Sequence, residues 1–285
     1  NGRRLRRQHN LNYQPTSIQD SGVDGLSVGF VFNEVGNLVE LRKGDQSTPA
    51  LRKYGYDTLN QLADVKTGAD APLKTYLYHD FTQNRTTEIT NGATSISSVY
   101  TVDRLTEWNG VARAYDAAGN TISIGGAAKE FTYNAAGRMS TVKASGQTKA
   151  TYRYSGIGER VQRQIGSVVD YTNYDTVGRF LGRYGVTGTA VQEVIWLGDT
   201  PVGLIAANKL LYIEADHLGT PRVIIDPSRQ RAVWTWDLAG DVFGATLPNQ
   251  DPDQDSQSFV FDLRFAGQQY DAISGMHHNL FRDYD

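Results

Sequence analysis

Carboxylates and imidazoles are the chemically competent side chains of this 285-residue chain, which has no cysteine. That absence removes thiolate metal sites, a thiol nucleophile and any disulfide framework. Aspartates recur, and two brought together by a folded sheet could share a proton for acid catalysis. Those at turn starts, such as Asp116, Asp175 and Asp237, open a repeated short phrase in which a carboxylate already has a structural task. Asp251, Asp253 and Asp255, with Asp262 at the twelfth position, echo the ligand spacing of a calcium loop. Ser256 stands at the sixth position where such a loop needs Gly, Pro252 sits inside it, and neither flank reads as a helix, so a solvated acidic loop is expected. His277 and His278 are adjacent, so on a strand they face opposite sides and cannot simply share one zinc ion. His217 lies in a turn, where hydrogen bonding is the expected role. There is no Gly-x-Ser-x-Gly elbow, phosphate loop or Gly-x-Gly-x-x-Gly between strand and helix. The expectation is a chain with no catalytic residue, metal or cofactor of its own.

The elements that position these residues announce themselves by repetition. An aromatic residue followed by a polar one, two undemanding residues and a glycine recurs about every twenty positions. The copies place Asn33 with Gly36, Asp57 with Asn60, Asp116 with Gly119, Asn134 with Gly137, Ser155 with Gly158, Asp175 with Gly178 and Asp237 with Gly240. The first residue of each pair can bond the backbone two residues on, and the last sits where positive φ is required. Gly fills that place, and Asn60 is the one replacement type that tolerates it well. This is a hairpin connection made of a type I turn closed by a G1 bulge. Alternating residues leave each turn, as in Leu38-Val39-Glu40-Leu41, so each copy reads as one two-stranded hairpin. An isolated hairpin is marginal in water, and the copies must pair or stack to bury their faces. The fold class is all-β, an array of hairpins, in preference to a propeller or a sandwich that reuses one turn type.

Composition bounds the partners. The net charge of −3 gives no global attraction for nucleic acid or an anionic membrane. Arg3, Arg4, Arg6 and Arg7 form a short basic run, expected as one solvated strand face. No stretch approaches the roughly 18 consecutive apolar residues of a membrane-spanning helix.

The Tyr-Asp-x-x-Gly phrases at this spacing resemble the YD repeats of Rhs proteins. The C-terminal part sharpens the resemblance, beginning with Asp216, His217, Leu218, Gly219, Thr220, Pro221 and Arg222. Trp234, Trp236-Asp237, Phe243-Gly244, Leu263-Arg264-Phe265-Ala266-Gly267-Gln268, Ser274-Gly275-Met276 and Phe281-Arg282-Asp283-Tyr284-Asp285 continue the order of an Rhs-associated core segment. Residues 1–210 are accordingly expected as YD repeats and 211–285 as that core segment. The resemblance implies a sheet that spirals into a hollow cocoon around a C-terminal polymorphic toxin, in proteins made in the bacterial cytoplasm and exported, or in subunits of Tc insecticidal toxins. The family's Asp-Pro-x-Gly-Leu motif, linked to autoproteolytic release of the toxin, would follow Asp285; both ends read as interrupted, and no protease residue can be carried over. Asp283 and Asp285 are nearest that motif and are expected to support it electrostatically at most.

Three functions follow. The first is a structural shell whose partners are the C-terminal toxin as cargo, the remaining repeats of the shell, and secretion-apparatus and chaperone proteins. The second is an aspartic-type autoprotease completed by residues beyond this chain. The third is a carbohydrate-binding surface adhesin using exposed aromatics such as Trp196, Trp234 and Trp236.

Overall fold

The computed structural model describes residues 2–285, without the side chain of residue 266. Twenty-three strands run from Leu5–His9 to Arg231–Thr235, and each pairs antiparallel with the next in sequence to make one continuous sheet. A small three-stranded sheet follows, formed by Gln269–Asp271, Met276–Asn279 and Arg282–Tyr284. Among the described residues the helical pieces are two 3-10 turns, Gly126–Ala128 and Phe265–Gly267. No helix among them is long and apolar enough to cross a membrane.

The turn chemistry explains the hairpins. Gly36, Asn60, Gly119, Gly137, Gly158 and Gly178 all have φ between 62° and 92°. In each of these turns the polar first residue accepts the backbone N–H four residues on, as Asp175 Oδ1 does from Val177 at 3.0 Å and Arg179 at 2.9 Å. A register shift falls immediately before each entering aromatic, for example between Thr132 and Tyr133. That shift is the bulge, which takes a carbonyl out of the ladder and increases the local twist.

The aromatic of the phrase answers the bulge of the hairpin before it. Tyr56, Tyr78, Tyr100, Tyr115, Tyr133, Tyr154 and Tyr174 donate their hydroxyls to the carbonyls of Leu38, Leu62, Arg85, Leu105, Thr121, Met139 and Arg160, over 2.6–3.2 Å. The Trp196 indole N–H does the same to Phe180 at 2.9 Å. Each acceptor lies two residues beyond the positive-φ residue of the preceding turn. Eight successive hairpins are thus stitched by one side-chain bond each. A bond of this kind is worth about 1 kcal/mol net.

The sheet rolls until its first strands lie against its last. Ile18, Val28, Phe30 and Leu41 pack with Val223, Ile225 and Ala232 in one buried cluster. Ile224, pointing the opposite way from its neighbours Val223 and Ile225, packs with Trp234, Phe261 and Leu263 in a second. Strand Pro221–Asp226 is therefore buried on both faces, between the overlapping start of the sheet and the C-terminal segment. That segment crosses the concave face, where Met276 and Ile273 join Phe131, Met139, Val142 and Tyr152 in a third cluster.

Two sequence expectations are corrected by the structure. The basic run is solvated at Arg4, Arg6 and Arg7, which are exposed, but not at Arg3. Arg3 turns inward to Asp20, and Arg7 donates to the carbonyls of Ala215 at 2.8 Å and Asp216 at 3.2 Å across the overlap. Gly240 lacks the positive φ assigned to it. Its surroundings explain this: Asp237 caps only Ala239, and Trp236 donates its indole N–H to Thr246, which draws the chain off the sheet before a second strand can form. The positive-φ turn comes four residues later, at Asp241 with Gly244 (φ 88°).

Candidate functional site

The Asp216–Arg222 stretch uses the same turn. Gly219 has φ 77°, and Asp216 Oδ1 accepts from Leu218 at 2.8 Å and Thr220 at 3.1 Å. The other carboxylate oxygen of Asp216 receives Arg222 Nε at 2.8 Å, and the Arg222 guanidinium lies over the Trp236 ring at 4.6 Å. Pro221 opens the doubly buried strand, where a missing N–H follows the bulge. His217 departs from the hydrogen-bonding role expected of it. Its ring packs against Phe30, tilted by 52° with centroids 4.4 Å apart, and lies 6.2 Å from Phe32, and its buried Nδ1 has no partner. Burial in that overlap lowers its pKa, with Arg222 and Arg7 nearby reinforcing the neutral form against Asp216. The physical reason is the rolling: a residue that reads as exposed turn is covered by the opposite end of the sheet. Leu218 stays exposed and Thr220 is fully buried.

The overlap also buries a carboxylate pair that the sequence did not single out. Asp20 and Glu214 are 194 positions apart in the sequence yet lie together under Arg3, which pairs with Asp20 and sits 3.5 Å from Glu214. Glu214 Oε2 accepts the Leu26 N–H at 2.6 Å. Burial, then the hydrogen bond with Asp20, pushes the Glu214 pKa up to about 8. Burial opposes the Asp20 charge too, but hydrogen bonds from Glu214, the Gly22 N–H and Arg3 together hold its pKa down. With one pKa raised and the other lowered, the proton of the pair resides on Glu214, hydrogen-bonded to Asp20. Both side chains are at most 5% exposed, so the dyad clamps the overlap and faces no substrate.

On the concave face lies a cavity of about 670 Å³. Lys74 bridges Glu88 and Asp241 at 2.6 Å each, tying strand Pro72–Tyr78 to the C-terminal segment. Burial works against the Lys74 charge, but the two carboxylates raise its pKa. The Arg85 guanidinium stands 4.0 Å from the Phe243 ring and 4.9 Å from that of Trp108. Arg113 pairs with Asp285. Arg264 lies among Trp234, Trp236 and Tyr270, and burial pushes its pKa down to about 10. His277 borders the same space, with its pKa lowered by burial and by Arg264.

The remaining candidates resolve into structural contacts. Asp251, Asp253 and Asp255 do converge, but Arg229 reaches Asp253 at 2.7 Å and Asp255 at 2.9 Å, and Asp262 is engaged elsewhere, with Arg183 at 3.1 Å. A guanidinium thus sits on two of the three carboxylates. His277 and His278 face opposite sides: His277 packs on Tyr270, and His278 shares a 3.1 Å hydrogen bond with Asp283. The tryptophans proposed as sugar platforms are packing residues. Trp234 and Trp236 are buried in the core and Trp196 is half-buried with its N–H committed, because the inward parity of these strands carries the core.

The comparisons agree with this geometry. A family model described as Teneurin YD-shell matches residues 16–285. The tRNA nuclease WapA of Bacillus subtilis (strain 168) is 26% identical over 242 residues, covering 81% of this chain and 10% of that protein. The tRNA3(Ser)-specific nuclease WapA of Bacillus spizizenii is 27% identical over the same length and shares. Among solved structures, the Photorhabdus luminescens Tc holotoxin pore superposes with TM-score 0.67 at 17% identity, over 99% of this chain and 16% of that one. The TcdB2-TccC3 crystal structure gives TM-score 0.68 at 16% identity, over 99% and 17%. The chain therefore spans about a tenth of the curated relatives and about a sixth of the solved chains it resembles. With the family model matched over nearly its whole length, on a rolled sheet of stitched hairpins, this chain belongs to the teneurin YD-shell family.

Proposed function

We propose that this chain is a section of shell wall that encloses a C-terminal toxin domain of the same longer protein, made in a bacterial cytoplasm and exported. The observation that carries the reading is the rolled, self-overlapping sheet with polypeptide lying along its concave face. Such a wall works by enclosure: each interior strand is paired on both sides, and the inward side chains set what cargo is tolerated. The likeness to WapA nucleases and to Tc toxin structures supports a toxin-associated role, with the remaining repeats completing the wall.

The test uses the longer protein that contains this chain. Its C-terminal domain is expected to resist added protease while the shell is folded and to become cleavable when the shell is opened by denaturant. Digestion of that domain in the folded protein at the rate seen for the isolated domain refutes enclosure.

A further inference from the structure

We propose that the concave cavity is a seat for carboxylates of an acidic, aromatic peptide segment, held by Arg85 and Arg113. This deepens the enclosure reading, on which it rests, by giving the cargo-facing wall a definite chemical preference.

The charge inventory points to a missing anion. Lys74 answers both Glu88 and Asp241, and Arg113 answers Asp285, which leaves Arg85 and Arg264 with no carboxylate partner among the described residues. Arg264 spends its guanidinium on the carbonyls of Phe261 and Leu263. Arg85 makes only ring contacts, and its buried Nη1 has no acceptor. Arg113, whose side chain is 9% exposed, likewise has a buried Nη1 without an acceptor. Two guanidiniums, each with a buried Nη1 that makes no hydrogen bond, border one cavity, and a guanidinium is suited to two-point recognition of a carboxylate or a phosphate.

A peptide fits better than a free anion for two reasons. The cavity already accepts a peptide carboxylate, since Asp285 reaches Arg113 from the acidic, aromatic run Asp283-Tyr284-Asp285. Its walls also carry Tyr100, Trp108, Tyr115 and Phe243, which offer ring faces to apolar side chains between the acids. Its volume is in the range of ordinary ligand sites, and Phe243, 53% exposed, keeps it in contact with solvent.

The probe is the unlabelled tetrapeptide acetyl-Glu-Phe-Glu-Phe-amide, titrated against the intact chain by isothermal titration calorimetry. The glutamine analogue of the peptide is expected to bind about tenfold more weakly or worse, as are Arg85→Gln and Arg113→Gln proteins toward the acidic peptide, whereas Arg153→Gln on the exposed surface leaves binding unchanged. If an arginine variant fails to fold, the acid-against-amide comparison on the unaltered protein still decides. Equal binding of the two peptides, or no binding of either, overturns the proposal. Full displacement by an equal concentration of inorganic phosphate overturns the peptide assignment. A cargo that stays protease-protected while the two peptides bind alike sinks this inference alone; loss of protection sinks the enclosure reading.

Discussion

Replacing Glu214 with Gln is expected to abolish a specific pH dependence of stability. Folded Glu214 holds its proton up to about pH 8, whereas an unfolded glutamate releases it near about pH 4.3. Between those values the native state binds more protons, so its contribution is fully present below the unfolded pKa and is lost as pH rises through the folded one. The slope is at most about 1.4 kcal/mol per pH unit. From about pH 7 to about pH 9 the fall is about 1 kcal/mol or somewhat more, flattening at the top. Asp20 and the buried histidines act at lower pH. Asp20, with its lowered pKa, contributes stability that is lost only in acid. The buried imidazoles of His217 and His278, with lowered pKa values, act at and below the ordinary histidine range, with the opposite sign. Glutamine keeps an oxygen for the Leu26 N–H and a donor for Asp20, so the fold is retained. Urea unfolding at three pH values across that window should show a falling midpoint for the parent chain and a level one for Glu214→Gln. A variant with the parent's slope, or a parent with no slope, refutes the account of a proton held on Glu214 in the overlap.

Three further outcomes follow from the same contacts. Tyr154→Phe removes the 2.8 Å bond to the Met139 carbonyl and should cost about 1 to 2 kcal/mol in urea unfolding, whereas Tyr13→Phe, at a tyrosine 89% exposed, should cost nothing measurable. Gly119→Ala forces a side chain into φ 90° with no worse than an ordinary contact to Arg104, so a loss of about 1 to 2 kcal/mol, from strain alone, is expected by the same method. Calcium at about 1 mM, the weak end of protein calcium sites, should leave the melting temperature unchanged in the parent chain, because Arg229 occupies the Asp253 and Asp255 carboxylates; a rise would show that the ion displaces it.

The hairpins were legible in the sequence because a turn is a local object. A polar residue that accepts its own chain's N–H groups and a residue that tolerates positive φ are decided within five positions, as at Asp57 to Gln61. The destination of the entering tyrosines was not legible. Tyr154 reads as a β-favouring aromatic, and its acceptor on Met139 appears only once two hairpins pair in register. Gly240 shows the limit even of local reading: the phrase is present at Asp237, but Trp236 anchors to Thr246 and no second strand arrives to demand the turn.

What the sequence alone determined is the unit and its repetition, together with the family that the ordered C-terminal motifs indicate, since both depend on residues close in the chain. Tertiary structure decided everything that requires the sheet to roll. It brought Asp20 and Arg3 to Glu214, carried Arg7 to the Ala215 carbonyl, covered His217 with Phe30 and laid Asp285 against Arg113. Those contacts join positions about 170 to 210 residues apart. Curvature is the sum of small twists and bulges over many strands. No short window of sequence states where that sum closes, and so neither the clamp nor the cavity could be read before the sheet was seen whole.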